Sequence, residues 1–127
     1  MKLFIYGTLK RGYCNNHILK EYNAKWLGKA TTCPGYILID LGCFPGLIRP
    51  TRKVSRKANS KIGGNKVFGE VWEVDDECLK RLDQFESGLY ERGPIELMLP
   101  FEADNVESYF YIGKVGDGPY FNKWTTI

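Results

Sequence analysis

A carboxylate that closes an apolar helix face is the first candidate for chemistry in this chain. Residues 75–86 read Asp-Asp-Glu-Cys-Leu-Lys-Arg-Leu-Asp-Gln-Phe-Glu. They predict a short helix capped by Asp75 or Asp76, with more acid in its first turn. Stepping about 100° per residue from Cys78 puts Leu79 at ~100°, Leu82 at ~40°, Phe85 at ~−20° and Glu86 at ~80°. Glu86 therefore falls inside the apolar arc, while Lys80 and Arg81 point elsewhere. It also sits at the helix C-terminus, where the macrodipole disfavours negative charge. Gly88 suits a left-handed helix stop. Desolvation and the dipole both push the carboxyl pKa upward, towards a base that works near neutral pH. On periodicity alone, a Glu86 turned to solvent at a frayed helix end stands equally well.

The second candidate is the N-terminal run. Residues 2–6 are apolar, aromatic and β-branched, which predicts a first strand, and Gly7-Thr8 breaks it. A strand ending in Gly-Thr presents backbone N–H groups that can form an anion-binding nest, although many such turns hold only water. Arg11, in the basic turn that follows, is open to two readings: a partner for a substrate carboxylate, or an exposed surface cation.

The elements that position these groups follow from the rest of the chain. Residues 17–22 predict a short helix capped by Asn15 or Asn16. Residues 24–30, 35–40, 44–50, 67–74, 95–99 and 107–112 predict strands, and residues 120–124 close the chain. In 107–112, Tyr109 and Tyr111 share one face and Phe110 takes the other. Glu70, on the aromatic face of 67–74, reads as pointing to water or as supporting the site. With two short helices, six or seven strands give a β-rich α+β domain, a small barrel or strongly curled sheet.

Length and composition set the bounds. At 127 residues the chain fits one domain, 1–127, with one core. Hydrophobic content of 43% argues for a globular rather than a disordered chain. No apolar run is long enough to span a membrane, and the N-terminal apolar stretch is too short for a signal peptide. Together with the absence of an Asn-x-Ser/Thr site, this points to the cytoplasm. Cys14, Cys33, Cys43 and Cys78 form no Cys-x-x-Cys pattern, and His17 is the sole histidine. Buried or half-buried free thiols are expected ahead of a Cys14–His17 thiol–imidazole pair; a zinc site would need Cys14, His17 and distant partners to converge. No metal or cofactor is expected, and a monomer is favoured.

The net charge of +3 does not by itself imply a nucleic-acid partner. Between Leu41 and Gly69 there is no acid, and Arg49, Arg52, Lys53, Arg56, Lys57, Lys61 and Lys66 are all basic. Residues 51–66 predict a flexible, solvated basic loop. No aromatic residue interleaves these charges, so base stacking gains no support.

Two motifs then belong together: Tyr6-Gly7-Thr8-Leu9-Lys10-Arg11-Gly12, and Gly69-Glu-Val-Trp-Glu-Val ahead of Leu82-Asp83-Gln84-Phe85-Glu86, with Tyr90 and Arg92 after it. Their order and separation resemble the γ-glutamylcyclotransferase-like family. Asn15, Asn16, His17 and Leu19 bring the chain nearest the γ-glutamylaminecyclotransferase branch. The resemblance covers roughly residues 1–111. It implies a compact β-barrel with flanking helices, a substrate pocket at the Tyr6-Gly7-Thr8-Leu9 turn, a catalytic Glu86, and a pocket tyrosine near the C-terminus, matched by Tyr120 or, second, Tyr111. Ser87 stands where a glycine is usual, 51–66 is longer and more basic, and one extra residue lies between Gly12 and His17; the last two bear on substrate choice.

The implied reaction takes a small-molecule γ-glutamyl amide to 5-oxoproline and a free amine. The substrate's α-amine attacks its own γ-carbonyl, with Glu86 as base and then acid. Two alternatives come from other classes: a non-catalytic small-molecule-binding or regulatory module of the same fold, and a nucleic-acid accessory protein that uses the basic stretch at 49–66.

Overall fold

The computed structural model describes residues 1–61, 66–116 and 118–125. In chain order they form β1 (Lys2–Ile5), α1 (His17–Glu21), β2 (Lys25–Thr31), β3 (Ile37–Asp40), β4 (Pro45–Ile48), α2 (Lys53–Lys61), β5 (Phe68–Glu73), α3 (Asp76–Phe85), β6 (Tyr90–Pro94), β7 (Val106–Tyr111) and β8 (Tyr120–Phe121). The strands make one mixed sheet in the order β2-β5-β1-β7-β4-β3-β8, and β6 also pairs with β7. The sheet curls far enough for the Phe68 N–H, at the start of β5, to reach the Asn122 carbonyl just past β8. The predicted curled, β-rich α+β architecture is the one found.

Both faces of the central strands are buried, so β1 reads as a continuous apolar run. Phe4 and Tyr6 enter the interior of the curl with Leu38, Leu47, Val71 and Phe110. Leu3 and Ile5 pack on the outer face beneath α1 and α3, with Leu19, Cys78 and Leu82. A smaller cluster of Ile37, Ile39 and Ile48 packs on Val54 of α2, with Tyr111 and Tyr120 alongside.

Three expectations are corrected. The stretch 51–66 is not a loop through its first part: Lys53–Lys61 is helical, and residues 62–65 lie outside the described residues. Two cations just ahead of α2 are structural. Arg49 pairs with Glu91 at 3.1 Å and covers the Phe110 ring, and Arg52 donates to the carbonyls of Tyr111 and Gly113. Val54 and the buried Ser55 turn one side of α2 inward, so a charge-rich sequence still has a face to bury.

The strand expected at 95–99 lies earlier, at Tyr90–Pro94, where it pairs residue for residue with β7. The alternation that suggested it is real, because Ile95 and Leu97 are buried. Within 95–99 the described residues form no strand but an isolated bridge, Leu97 to Thr32, flanked by bonds from Cys33 N to the Glu96 carbonyl and from Met98 N to the Thr31 carbonyl. Finally, Cys14 and Cys43 are exposed rather than buried, Cys33 is half-buried, and only Cys78 is a core thiol. Burial pushes the Cys78 thiol up to about 11.

Candidate active site

A cavity of about 390 Å³ opens where the sheet splits. β7 is paired on one edge by β6. On its other edge β1 runs parallel at Lys2 and Leu3, and β4 takes over at Leu47. Past Ile5 the chain leaves the sheet into the turn at Gly7, whose Cα hydrogens lie against Pro45, the first residue of β4. A Cβ at Gly7 would sit 2.9 Å from the proline Cγ, so only glycine lets the turn close on β4 here.

The turn is fixed from behind. The Gly7, Thr8 and Leu9 carbonyls accept from Lys10 N, Asn15 N and Asn16 Nδ2 at 3.1, 2.9 and 2.8 Å. Asn15 Nδ2 also donates to Thr8 Oγ1 at 2.9 Å. Asn16 is the N-cap of α1, one of the two residues expected there, but makes no side-chain cap bond: its Nδ2 donates to the Leu9 carbonyl, and its buried Oδ1 accepts from nothing among the described residues. The buried Lys10 ammonium donates to the Trp124 carbonyl at 2.6 Å. Glu70 settles its open question: Oε1 accepts from Arg11 N at 2.9 Å and from Trp72 Nε1 at 3.1 Å, so it supports the turn rather than pointing to water. The backbone N–H groups of Gly7, Thr8 and Leu9 donate to nothing among the described residues, and all three residues line the cavity.

Glu86 faces this turn across the cavity. α3 begins as the sequence predicts: Asp75 is the N-cap, and its carboxylate accepts from Cys78 N at 2.8 Å. It ends at Glu86, the C-cap, whose N–H still reaches the Leu82 carbonyl at 2.9 Å. Gly88, at φ +92°, turns the chain away in the left-handed region. Glu86 is half-buried, and among the described residues no cation pairs with it. Burial pushes its carboxyl up to about 7. The fraying alternative is excluded, and desolvation accounts for the shift.

Three tyrosine rings surround the carboxylate, and each hydroxyl is already donated. Tyr6 OH bonds the Tyr109 carbonyl at 2.6 Å, Tyr90 OH the Pro45 carbonyl at 2.7 Å, and Tyr109 OH the Asp83 carboxylate at 2.7 Å. Burial raises all three phenol pKa values, and the nearby Glu86 charge adds to each. Asp83 also accepts from Arg92 Nε at 3.0 Å, and Arg92 in turn pairs with Glu107. One network therefore ties α3, β6 and β7 together one helical turn before Glu86.

Tyr6, Gly7, Thr8, Leu9 and Glu86 thus meet in one cavity. Tyr111 and Tyr120 do not line it. Tyr111 packs towards α2 and meets the cavity only through its edge contact with Tyr90, at 5.9 Å between ring centroids. Tyr120 packs in the same cluster and donates to the Gly116 carbonyl. The pocket tyrosines beyond Tyr6 are Tyr90 and Tyr109. Sequence parity put Tyr109 and Tyr111 on one face correctly; which helix covers each is a long-range fact with no local signature. Arg11 is also away from the cavity, its guanidinium 3.9 Å from the centre of the Trp26 ring. His17 Nδ1 lies 3.1 Å from the Cys14 carbonyl oxygen, and among the described residues no His, Cys, Asp or Glu cluster could hold a metal ion.

A curled mixed sheet of this kind occurs in solved structures. An AIG2-like protein from Mus musculus matches with a TM-score of 0.70 and 25% identity, over 98% of this chain and 87% of that one. The protein ytfP from Escherichia coli matches with a TM-score of 0.63 and 29% identity, over 97% and 93%. The chain belongs to the gamma-glutamyl cyclotransferase, AIG2-like family, whose model matches residues 3–125. Among curated relatives, the gamma-glutamylaminecyclotransferase of Bos taurus is 33% identical over 86% of this chain, which spans 63% of the bovine protein's length. Gamma-glutamylaminecyclotransferase A of Danio rerio is 32% identical over 98% of this chain and 76% of its own. Among the described residues no helix is long and apolar enough to cross a membrane.

Proposed function

We propose that this protein converts small-molecule γ-glutamyl amides to 5-oxoproline and the free amine, as a γ-glutamylamine-type cyclotransferase. The observation that carries this is the placement of Glu86, a carboxyl pushed up to about 7, across one cavity from unpartnered backbone donors at Gly7, Thr8 and Leu9. Family membership supports the reaction class.

In this mechanism Glu86 takes a proton from the substrate's α-ammonium. A base that titrates near the working pH is best matched to that transfer. The freed amine attacks the γ-carbonyl of the same molecule. The ring C–N bond forms as negative charge moves onto the carbonyl oxygen. N–H groups of the 7–9 turn, fixed before the reaction starts, stabilise that charge. Glu86 returns its proton to the leaving nitrogen, the bond to that nitrogen breaks, and Glu86 takes the second proton from the ring nitrogen, which becomes the lactam N–H; that proton leaves with the released amine as its ammonium. No water is consumed. The Thr8 hydroxyl and the Asn15 amide add polar contacts for the α-carboxylate. Because attack is intramolecular, the protein's main task is to hold the curled conformer.

Isotope labelling tests the reaction type. In ¹⁸O-water, cyclisation gives unlabelled 5-oxoproline and amine in equal amounts. Formation of ¹⁸O-labelled glutamate instead would make the protein an amidohydrolase and overturn the mechanism.

A further inference from the structure

The N-terminal turn has two sides, and the proposed chemistry uses one of them. Gly7, Thr8 and Leu9 line the cavity that holds Glu86. Lys10 and Tyr13 line a second cavity, of about 510 Å³, which shares no lining residue with the first. One wall comes from the paired strands β2 and β5, where Lys29 and Glu70 stand opposite each other. Lys123, from the C-terminal segment, completes a set of three lysines around it.

Lys10 is the unusual member. It is only 5% exposed, and lysines are almost never buried without a partner of opposite charge. Part of its role is structural: Nζ donates to the Trp124 carbonyl and lies 4.2 Å from the centre of the Tyr13 ring, which ties the turn to the C-terminal segment. A carbonyl and a ring do not neutralise an ammonium, and the carbonyl takes one of its three N–H groups. Among the described residues no carboxylate lies within ion-pair distance of Lys10, Lys29 or Lys123. Burial lowers the Lys10 pKa; Glu70 opposes that shift and Lys123 adds to it. Glu70 is itself held by Arg11 N and Trp72 Nε1.

The lining therefore favours an anion. Three ammonium groups against one carboxylate leave an excess of two positive charges. A phosphate monoester, at about −1.5 to −2 near neutral pH, matches that excess. Beside the lysines, the Tyr13 ring and the exposed side chains of Phe68 and Leu99 offer apolar surface to the rest of such a molecule. We infer that this second cavity binds a small organic phosphate with an aromatic or otherwise apolar body, its phosphate held by Lys10, Lys29 and Lys123. The site is separate from that of Glu86 and does not depend on the cyclotransferase reading.

Phenyl phosphate is the probe, with calorimetry and amide NMR on the full chain. One saturable site per chain is expected, with shifts centred on Lys29, Phe68 and Lys123. Inorganic phosphate and benzyl alcohol, each half of the probe, are expected to bind at least about tenfold more weakly. Lys29→Ala with Lys123→Ala, both at exposed positions, is expected to weaken phenyl phosphate at least about tenfold. Lys10→Met is expected to abolish binding; if that variant does not fold, the double variant carries the test. Lys53→Glu with Lys57→Glu, which reverses charge on α2 instead, is expected to leave affinity unchanged. No saturable binding, shifts centred on residues 7–9 and Glu86, equal affinity for inorganic phosphate, undiminished affinity in the Lys29/Lys123 double variant, or an equal loss in the α2 variant would overturn the inference.

Discussion

At the scale of single residues, Glu86 sets both activity and stability. Its carboxyl titrates near 7 in the fold against an ordinary value of 4.5. The raised value means the fold favours the protonated form. Ionisation therefore costs native stability: nothing well below pH 4.5, more as pH rises towards 7, and a level amount above. Two to three pKa units correspond to about 3 kcal/mol on that plateau. Glu86→Gln is thus expected to melt with the wild type at pH 4 and clearly above it at pH 8, by thermal or urea denaturation. A variant that melts lower at pH 8 would mean Glu86 is a structural partner instead. The same titration predicts an acidic limb in the pH profile of kcat/KM for the free enzyme, with an apparent pKa near 7.

At the scale of elements, α3 is held at both ends for different reasons. Asp75 caps its N-terminus, more than two turns from Glu86. Asp75→Ala is expected to cost about 1 kcal/mol of stability, as cap removals do, and to leave kcat/KM unchanged. Asp83 lies one turn from Glu86 and joins Tyr109 of β7 to Arg92 of β6. Asp83→Ala leaves the Tyr109 hydroxyl without its acceptor, with an expected loss of about 1–2 kcal/mol. Because Tyr109 lines the cavity, kcat/KM should fall as well, with the acidic limb displaced. Comparing the two variants in the same assay separates helix stability from positioning.

At the scale of the whole molecule, much was legible because it is written locally. The burial of both faces of β1 shows in an unbroken apolar run. The α3 cap, the apolar arc that ends in Glu86, and the Gly88 stop are all properties of a dozen adjacent residues. The turn at Gly7-Thr8 is similarly local. What escaped depends on long-range pairing. β6 ends where it does because of β7, not because of its own alternation. α2 forms within a polar, basic stretch because Val54 and Ser55 find partners, a tertiary gain that propensity does not register. Tyr90 and Tyr109 reach the cavity, while Tyr111 and Tyr120 do not, because the sheet curls.

The same view separates the basic helix from the site. Lys53 and Lys57 are exposed on α2, away from the cavity lining. Lys53→Glu with Lys57→Glu is expected to leave kcat/KM unchanged; a large loss would give the basic surface a part in substrate capture.

The most direct test of the central claim is 5-oxoproline formation from a panel of γ-glutamyl amides, followed by NMR, with wild type and folded Glu86→Gln side by side. Stoichiometric 5-oxoproline from the wild type and none above background from the variant is the expected result. Undiminished turnover in Glu86→Gln would contradict Glu86 as the base, and no product from any amide by a folded wild type would contradict the cyclotransferase assignment itself.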